Sequence, residues 1–121
     1  MIRTVKSFFV SLRASSRFGR ASKLRDAGRN AEALATAREA LAILRSPDIK
    51  RNNPPEASLV SCCTVLVEEL ASELNQPGAE RADIVDTLAH LKRLPESSST
   101  DVRAWIPYLE AKQRGDSASG A

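Results

Sequence analysis

The sequence predicts an all-α protein of about six helices, and three observations support this class. Alanine, leucine, arginine and glutamate, which have high helix propensity, are abundant. Apolar residues recur at spacings of three and four, as in Leu34, Ala37, Leu41 and Leu44, and no long run of alternating β-branched residues indicates a strand. Glycine and proline residues divide the chain into segments of ordinary helix length.

The length of 121 residues predicts one domain, with a core large enough to fold without disulfides or metal ions. Hydrophobic residues make up 42% of the chain but aromatic residues only 4%, so the core must be mainly aliphatic. We expect this domain to cover residues 1–114 and a disordered tail to cover 115–121. No apolar stretch approaches the roughly 20 residues that span a bilayer.

The first predicted helix, over about residues 1–20, is basic and amphipathic. At helical spacing its basic residues fall in one sector and its apolar residues in the neighbouring sector. The basic residues are Arg3, Lys6, Arg13, Arg17 and Arg20, and the apolar residues are Ile2, Val5, Phe8, Phe9 and Leu12. A second helix, over about 15–27, ends at Gly28, which suits the left-handed position after a helix. The pattern leaves open whether the two are continuous across Gly19.

Four more helices are predicted, over about residues 30–45, 56–75, 79–94 and 101–114. The segment 46–55 is a proline-rich loop, and Pro55 fits the first turn of the helix that follows it. The sequence Gln76-Pro77-Gly78 predicts a turn. Residues 97–100 predict a polar linker with a helix N-cap at Ser99 or Thr100. Pro107 lies inside the last predicted helix, which is therefore either kinked or begins later.

Two pieces between about residues 17 and 95 resemble the helix-turn-helix units of tetratricopeptide (TPR) repeats. The first has Leu24, Gly28, Ala33, Ala40 and Leu41 at positions of the family pattern, and the second has Leu70, Ala71, Leu74, Gly78, Leu91 and Pro95. The first unit has Arg17 in place of the early aromatic residue of the pattern, and the second has Asp83 and His90 at small-residue positions. The turn glycines are also further apart than the roughly 34 residues of the family.

The TPR resemblance implies a right-handed stack of antiparallel helical hairpins with capping helices at both ends; a plain helical bundle is the alternative. It also implies a non-catalytic adaptor or regulatory subunit that binds a protein or peptide segment on the concave face. We expect that surface to carry Arg17, Arg20, Lys23 and Arg25. Guanidinium and ammonium groups there would suit an acidic or carboxylate-bearing peptide.

The basic N-terminal helix has its own candidate docking residues, namely Arg3, Lys6, Phe8, Phe9 and Arg13. It could dock on an acidic protein surface, lie on an anionic membrane with its phenylalanines in the interface, or simply cap the first hairpin. Nucleic acid is a weaker candidate partner because the chain is acidic from Asp26 onward and offers only two adjacent phenylalanines for base stacking. The sequence makes no prediction of oligomeric state.

Motifs for catalysis, phosphate binding and metal binding are absent from the sequence, so we expect no enzyme, no cofactor and no metal site. The adjacent Cys62 and Cys63 are interpreted as small apolar helix residues, with a redox pair as the alternative. His90, four residues after Asp86, is interpreted as a partly exposed helix residue. The carboxylates of residues 68, 69 and 73 are interpreted as an exposed acidic face.

The cysteine content also bears on the compartment. Without a disulfide framework, the chain suits a reducing compartment, and we expect a cytoplasmic protein, with attachment to a membrane surface as a variant. The apolar core of residues 8–10 is too short for a secretory signal peptide. Its arginine- and serine-rich setting without acids is also typical of a mitochondrial presequence.

Overall fold

The computed structural model of the protein describes residues 2–47, 49–51, 53–94 and 103–114, with side chains from residue 9 onward except at residue 54. These residues form five α-helices and no strand, which confirms the all-α class. The helices are α1 (Ile2–Asp26), α2 (Asn30–Leu44), α3 (Pro54–Leu74), α4 (Arg81–Arg93) and α5 (Trp105–Arg114). The predicted linker 97–100, with its N-cap, and the predicted tail 115–121 lie outside the described residues.

The two helices predicted before Gly28 are one continuous helix, α1. Gly19 does not interrupt α1, because its cost of about 1 kcal/mol relative to alanine is small beside the packing of its neighbours. Ala14 and Ala21 are fully buried in a core cluster with alanines of α2. The basic N-terminal segment is therefore the first half of α1 and not a separate capping helix.

A left-handed residue closes α1, as the sequence predicts. Gly28 has a φ of 80°, and its N–H donates to the carbonyl of Arg25 at 2.9 Å. The next N–H, of Arg29, donates to the carbonyl of Leu24, also at 2.9 Å. These two bonds satisfy carbonyls at the end of the helix and form a Schellman motif. The chain thereby turns back at once, so α1 and α2 form an antiparallel hairpin.

Prolines mark the beginnings of α3 and α5. Pro54 and Pro55 occupy the first positions of α3, where a missing N–H costs nothing, as predicted for Pro55. The last helix begins at Trp105, so Pro107 falls in its first turn. Of the two alternatives for Pro107, a kinked helix or a helix that begins later, the later beginning is confirmed for residues 105–114.

Consecutive helices contact each other throughout, and α1 also contacts α3. One core cluster joins α1, α2 and α3, with Leu44 and Leu70 among its fully buried side chains. A second cluster joins α4 and α5 around Leu91 and Leu109, and Ala79 touches both clusters. Within the described parts of the chain, none of the helices is long and apolar enough to cross a bilayer.

A candidate binding groove between two parallel helices

Two contacts fix α1 beside α3. In the first half of α1 and the first turn of α3, the Ser11 hydroxyl donates to Glu56 Oε2 at 3.2 Å. Near their ends, Arg25 Nη1 lies 3.7 Å from Glu69 Oε1. The first pair is 45 residues apart in the chain and the second pair 44, so the two helices run parallel in one register. The segment of α1 between the contacts is about 20 Å long at a helical rise of 1.5 Å per residue.

An open groove lies between these contacts. It has two adjoining parts, of about 290 Å³ and about 520 Å³, which share Phe18 and Cys62 as lining residues. The smaller part reaches α5 and is lined by Phe18, Ser22, Arg25, Ser61, Cys62, Val65, Leu66, Glu69, Leu91 and Trp105. The larger part is lined by Ser11, Leu12, Ser15, Phe18, Pro55, Glu56, Ser58, Leu59 and Cys62. Although five serines are among these residues, the exposed surface of both parts is mainly apolar.

Small side chains explain why the groove stays open. On α1 the groove wall carries Ser11, Ser15 and Ser22, which recur at helical spacing. On α3 it carries Ser58, Ser61 and Cys62. These side chains are too short to fill the space between two parallel helices. A further helix could consequently approach both backbones closely.

Trp105, in the first turn of α5, lines the smaller part of the groove together with Leu66 of α3 and Leu91 of α4. Its ring packs edge-on against Tyr108, with centroids 5.1 Å apart and planes at 86°. Trp105 is partly buried and is the only tryptophan in the chain. It is therefore an intrinsic fluorescent reporter of the groove.

The structure separates the four basic residues that were predicted to share a binding surface. Only Arg25 lines the groove, and there it is paired with Glu69. Arg17 Nε lies 3.2 Å from Glu39 Oε2 of α2. Arg20 and Lys23 are exposed and are not part of the groove lining. The groove is thus apolar with a balanced ion pair at one end.

The predicted docking residues of the N-terminal segment are only partly described. Phe9 is 58% exposed, and Arg13 is also exposed. The side chains of Arg3, Lys6 and Phe8 lie outside the described residues. Leu12, one turn after Phe9, is 55% exposed and forms an edge of the groove.

The two cysteines have different surroundings and are not bonded to each other. Cys62 is exposed in the groove, although burial by neighbouring atoms still raises its pKa and a hydrogen bond with Ser58 partly offsets this. Cys63 is fully buried in the core, and burial, with smaller contributions from Cys62 and Asp83, raises its pKa to about 12. A thiol with such a pKa is a poor nucleophile at neutral pH.

Glu68 is buried, which corrects its predicted place on an exposed acidic face. Its side chain is 1% exposed, and its Oε2 lies 3.6 Å from Lys112 Nζ of α5. Burial raises the pKa of Glu68, and Lys112 and the backbone N–H of Ala79 offset only part of this effect. Among the described residues, Glu68 Oε1 has no hydrogen-bond partner. The neighbouring Glu69 and Glu73 are exposed, as predicted.

A second buried carboxylate, Asp83, holds the loop after α2 against α4. It is fully buried, and each of its oxygens accepts a hydrogen bond at 2.5 Å, one from Arg45 and one from Arg51. Arg51 Nε also donates to Asp86 Oδ2 at 2.7 Å. Burial would lower the pKa of Arg51, but these hydrogen bonds outweigh it and raise the pKa. In the sequence, Asp83 stands beside Ile84 on the apolar stripe of α4. A charge that is buried there needs a partner, so this position was the signal from which the ion pairs of Asp83 could have been predicted.

The spacing of four residues would allow Asp86 to pair with His90. Asp86 instead accepts a hydrogen bond from Arg51. Burial and the nearby charge of Arg93 lower the pKa of His90. A histidine poised by a carboxylate would show the opposite shift. In the described ranges, no group of three or more histidine, cysteine or acidic side chains is placed to hold a metal ion.

Comparison of the chain with protein-family models, with curated proteins and with solved structures found no match. The resemblance to TPR units therefore stays a prediction from the residues. One feature of the geometry departs from it: the parallel helices α1 and α3 are related by 44 or 45 residues. The family repeats after about 34.

Proposed function

We propose that this chain is a non-catalytic protein-interaction module that holds an amphipathic helix of a partner protein in the groove between α1 and α3. The observation that carries the proposal is the pair of adjoining, mainly apolar cavities along the groove between two parallel helices. Its length of about 20 Å suits roughly 13 residues of helix. Helices bind in such grooves through apolar residues at spacings of three and four.

A helix suits this groove better than an extended peptide. The walls are helices whose backbone groups are already bonded, so an extended peptide would lose hydration of its own backbone without gaining main-chain partners. A helix satisfies its backbone internally and brings only side chains. The serines and the cysteine of the walls leave room for its apolar face, and Phe18 and Trp105 offer it large apolar contacts.

The test compares the full chain with two arginine substitutions. Cys62→Arg places a long charged side chain in the middle of the groove. Ala89→Arg is the matched control, because Ala89 is exposed on α4 and does not line the groove. Circular dichroism would first establish that both variants fold like the wild type.

Proteins captured from native lysate by the wild type and by Ala89→Arg, but not by Cys62→Arg, are the candidate partners. The binding segment of each is then mapped, synthesised and titrated while Trp105 fluorescence is followed. We expect saturable binding, helix formation in the peptide and at least about tenfold weaker binding to Cys62→Arg. Capture that is equal for all three forms, or a binding segment that leaves Trp105 fluorescence unchanged, would contradict the proposal.

A further inference from the structure

One face of α1 is exposed along most of its described length and lies outside the groove except at Leu12. Helical rotation places Phe9, Leu12, Arg13, Ser16, Arg20 and Lys23 in one sector roughly 100° wide, and all six side chains are exposed. We name these six residues the outer face of α1. The groove-lining serines of α1 are centred roughly 130° away around the helix. Only Leu12 belongs to both surfaces.

The outer face combines apolar and basic side chains. Phe9 and Leu12, at 58% and 55%, have the largest exposed fractions among the large hydrophobic residues that the structure describes. They lie one helical turn apart and form a short apolar ridge. Arg13 and Arg20 lie at one edge of this ridge, and Lys23 continues the face toward the end of the helix. Arginine and lysine beside an apolar helical stripe are typical of helices that lie in a membrane interface.

The charges of α1 sort by face. Arg17 and Arg25, which lie off the outer face, are paired with Glu39 and Glu69. Across the described residues, no acidic side chain lies within ion-pair distance of Arg13, Arg20 or Lys23. The sequence also contains no acid before Asp26. The outer face of α1 therefore presents a positive electrostatic potential to any anionic surface.

We propose that the outer face of α1 docks on the surface of an anionic phospholipid bilayer. The helix lies parallel to the membrane plane, Phe9 and Leu12 enter the boundary between headgroups and acyl chains, and the three cations contact lipid phosphates and carboxylates. A bilayer suits this face better than an acidic protein does. The face is a convex ridge with long side chains, and a fluid lipid surface adapts to it without a shaped pocket.

The test is sedimentation of the full chain with vesicles of phosphatidylcholine alone and with vesicles that also contain phosphatidylserine. We expect binding to the anionic vesicles only, and weaker binding as salt is raised, because screening shortens the reach of the charges. Truncating residues 1–20 is not suitable, since it would remove the buried Ala14 from the core. Point substitutions keep the fold.

Charge reversal separates a specific face from net charge. Arg13→Glu with Arg20→Glu should lower the partition coefficient on anionic vesicles by about tenfold or more. Arg81→Glu with Arg93→Glu is the matched control, because both residues are exposed on α4 and the net charge changes equally. In the same way, Phe9→Ser with Leu12→Ser should weaken binding, whereas Val85→Ser, at a site that is 40% exposed, should not.

Insertion can be observed directly by moving the tryptophan. In a Trp105→Phe background, Phe9→Trp should shift its emission to shorter wavelength on anionic vesicles. A wild-type chain that stays in the supernatant with those vesicles would overturn the proposal. Equal losses in the outer-face and control charge reversals would also overturn it. So would an outer face that captures an acidic protein but no vesicles, which would assign this face to protein docking.

Discussion

The carboxylate of Glu68 fills the space that a Cβ atom at residue 78 would need. Its Oε2 is the nearest atom to that position, with the rest of the carboxyl group close behind. The turn therefore requires glycine here for close approach and not for a left-handed conformation. The left-handed residue of this turn is Asn75, with a φ of 60°, which closes α3 through the N–H of Gln76 and the carbonyl of Ala71 at 2.9 Å.

Replacing Gly78 should therefore destabilise the fold. Gly78→Ala forces the buried Glu68 side chain to move, and we expect a loss of about 1–3 kcal/mol in the free energy of unfolding, as for other overpacked sites. Gly19→Ala is the matched control, because a Cβ there meets nothing within 4 Å and alanine favours the helix by about 1 kcal/mol. Urea unfolding followed by circular dichroism measures both. A loss with Gly78→Ala that persists in a Glu68→Ala background would show that the carboxylate is not its cause.

Loss of the Asp83 carboxylate should be among the most damaging substitutions. Asp83→Ala leaves the guanidinium groups of Arg45 and Arg51 without their buried partner, and breaking such a pair costs about 3–5 kcal/mol. Asp86→Ala is the comparison, since this 41% exposed side chain receives one bond from Arg51 and should cost about 1 kcal/mol or less. Urea midpoints for the two variants test the ranking. Equal urea midpoints would mean that the buried ion pairs of Asp83 stabilise the fold no more than the exposed pair of Asp86.

Glu68 should make stability fall as pH rises. Its pKa is raised in the folded state, so between its unfolded and folded pKa values the folded chain binds more protons and loses stability with increasing pH. Glu68→Gln cannot ionise and should be relatively more stable near neutral pH than below the ordinary pKa of glutamate. The difference in free energy of unfolding between variant and wild type, measured from acidic to neutral pH, tests this sign. Glu73→Gln, at an exposed site, should show little such trend.

The two cysteines should react in sequence. Cys62 is exposed in the groove, whereas Cys63 is buried with a pKa of about 12, so a thiol reagent should modify one residue of the native chain and both after unfolding. Mass spectrometry of the modified peptides identifies the site. A peptide bound in the groove should slow modification of Cys62. Rapid modification of both thiols in the native chain would contradict the burial of Cys63 in the core.

Arg25 and Arg20 should differ in their effect on partner binding. Arg25 lies at the groove in contact with Glu69, whereas Arg20 is exposed outside it. Arg25→Glu places two carboxylates side by side at the end of the groove, and we expect it to weaken groove binding by a few-fold to tenfold. Arg20→Glu should leave groove binding unchanged. Titration of a groove peptide, followed by Trp105 fluorescence, measures both affinities. Equal losses of affinity would indicate that the peptide binds a general basic surface and not the groove.

The sequence predicts the helices well where the signal is local. Gly28 and Pro55 act through their own backbone geometry, so the positions that they mark are correct. The sequence does not decide, however, whether α1 is continuous across Gly19. A single exposed glycine weakens a helix by about 1 kcal/mol, and whether the helix breaks depends on the packing of Ala14 and Ala21 against α2.

The candidate site could be predicted only in part. The amphipathic pattern places Phe9 and Leu12 on the apolar side of α1, but the structure exposes them and buries the side that carries Ala14 and Ala21. The pattern also does not show which arginines meet acids. Arg17 and Arg25 find Glu39 and Glu69 on other helices, and this pairing removes them from the predicted basic surface. Glu68 looks like a surface charge in the sequence, and although Asp83 stands on the apolar stripe of α4, the sequence does not show the partners of either residue. Their partners lie 32 to 44 residues away.

The sequence by itself determined the all-α class, the glycine and proline boundaries, and the concentration of positive charge before Asp26, because these depend on residue type and local spacing. The tertiary structure alone decided the groove, the two buried carboxylates and, among the described residues of α1, which cations pair with acids. The groove depends on the placement of α1 beside α3, Asp83 on the loop after α2, and Glu68 on the placement of α5 and the turn at Gly78. These placements follow from the packing of whole helices, which no local pattern of residues encodes.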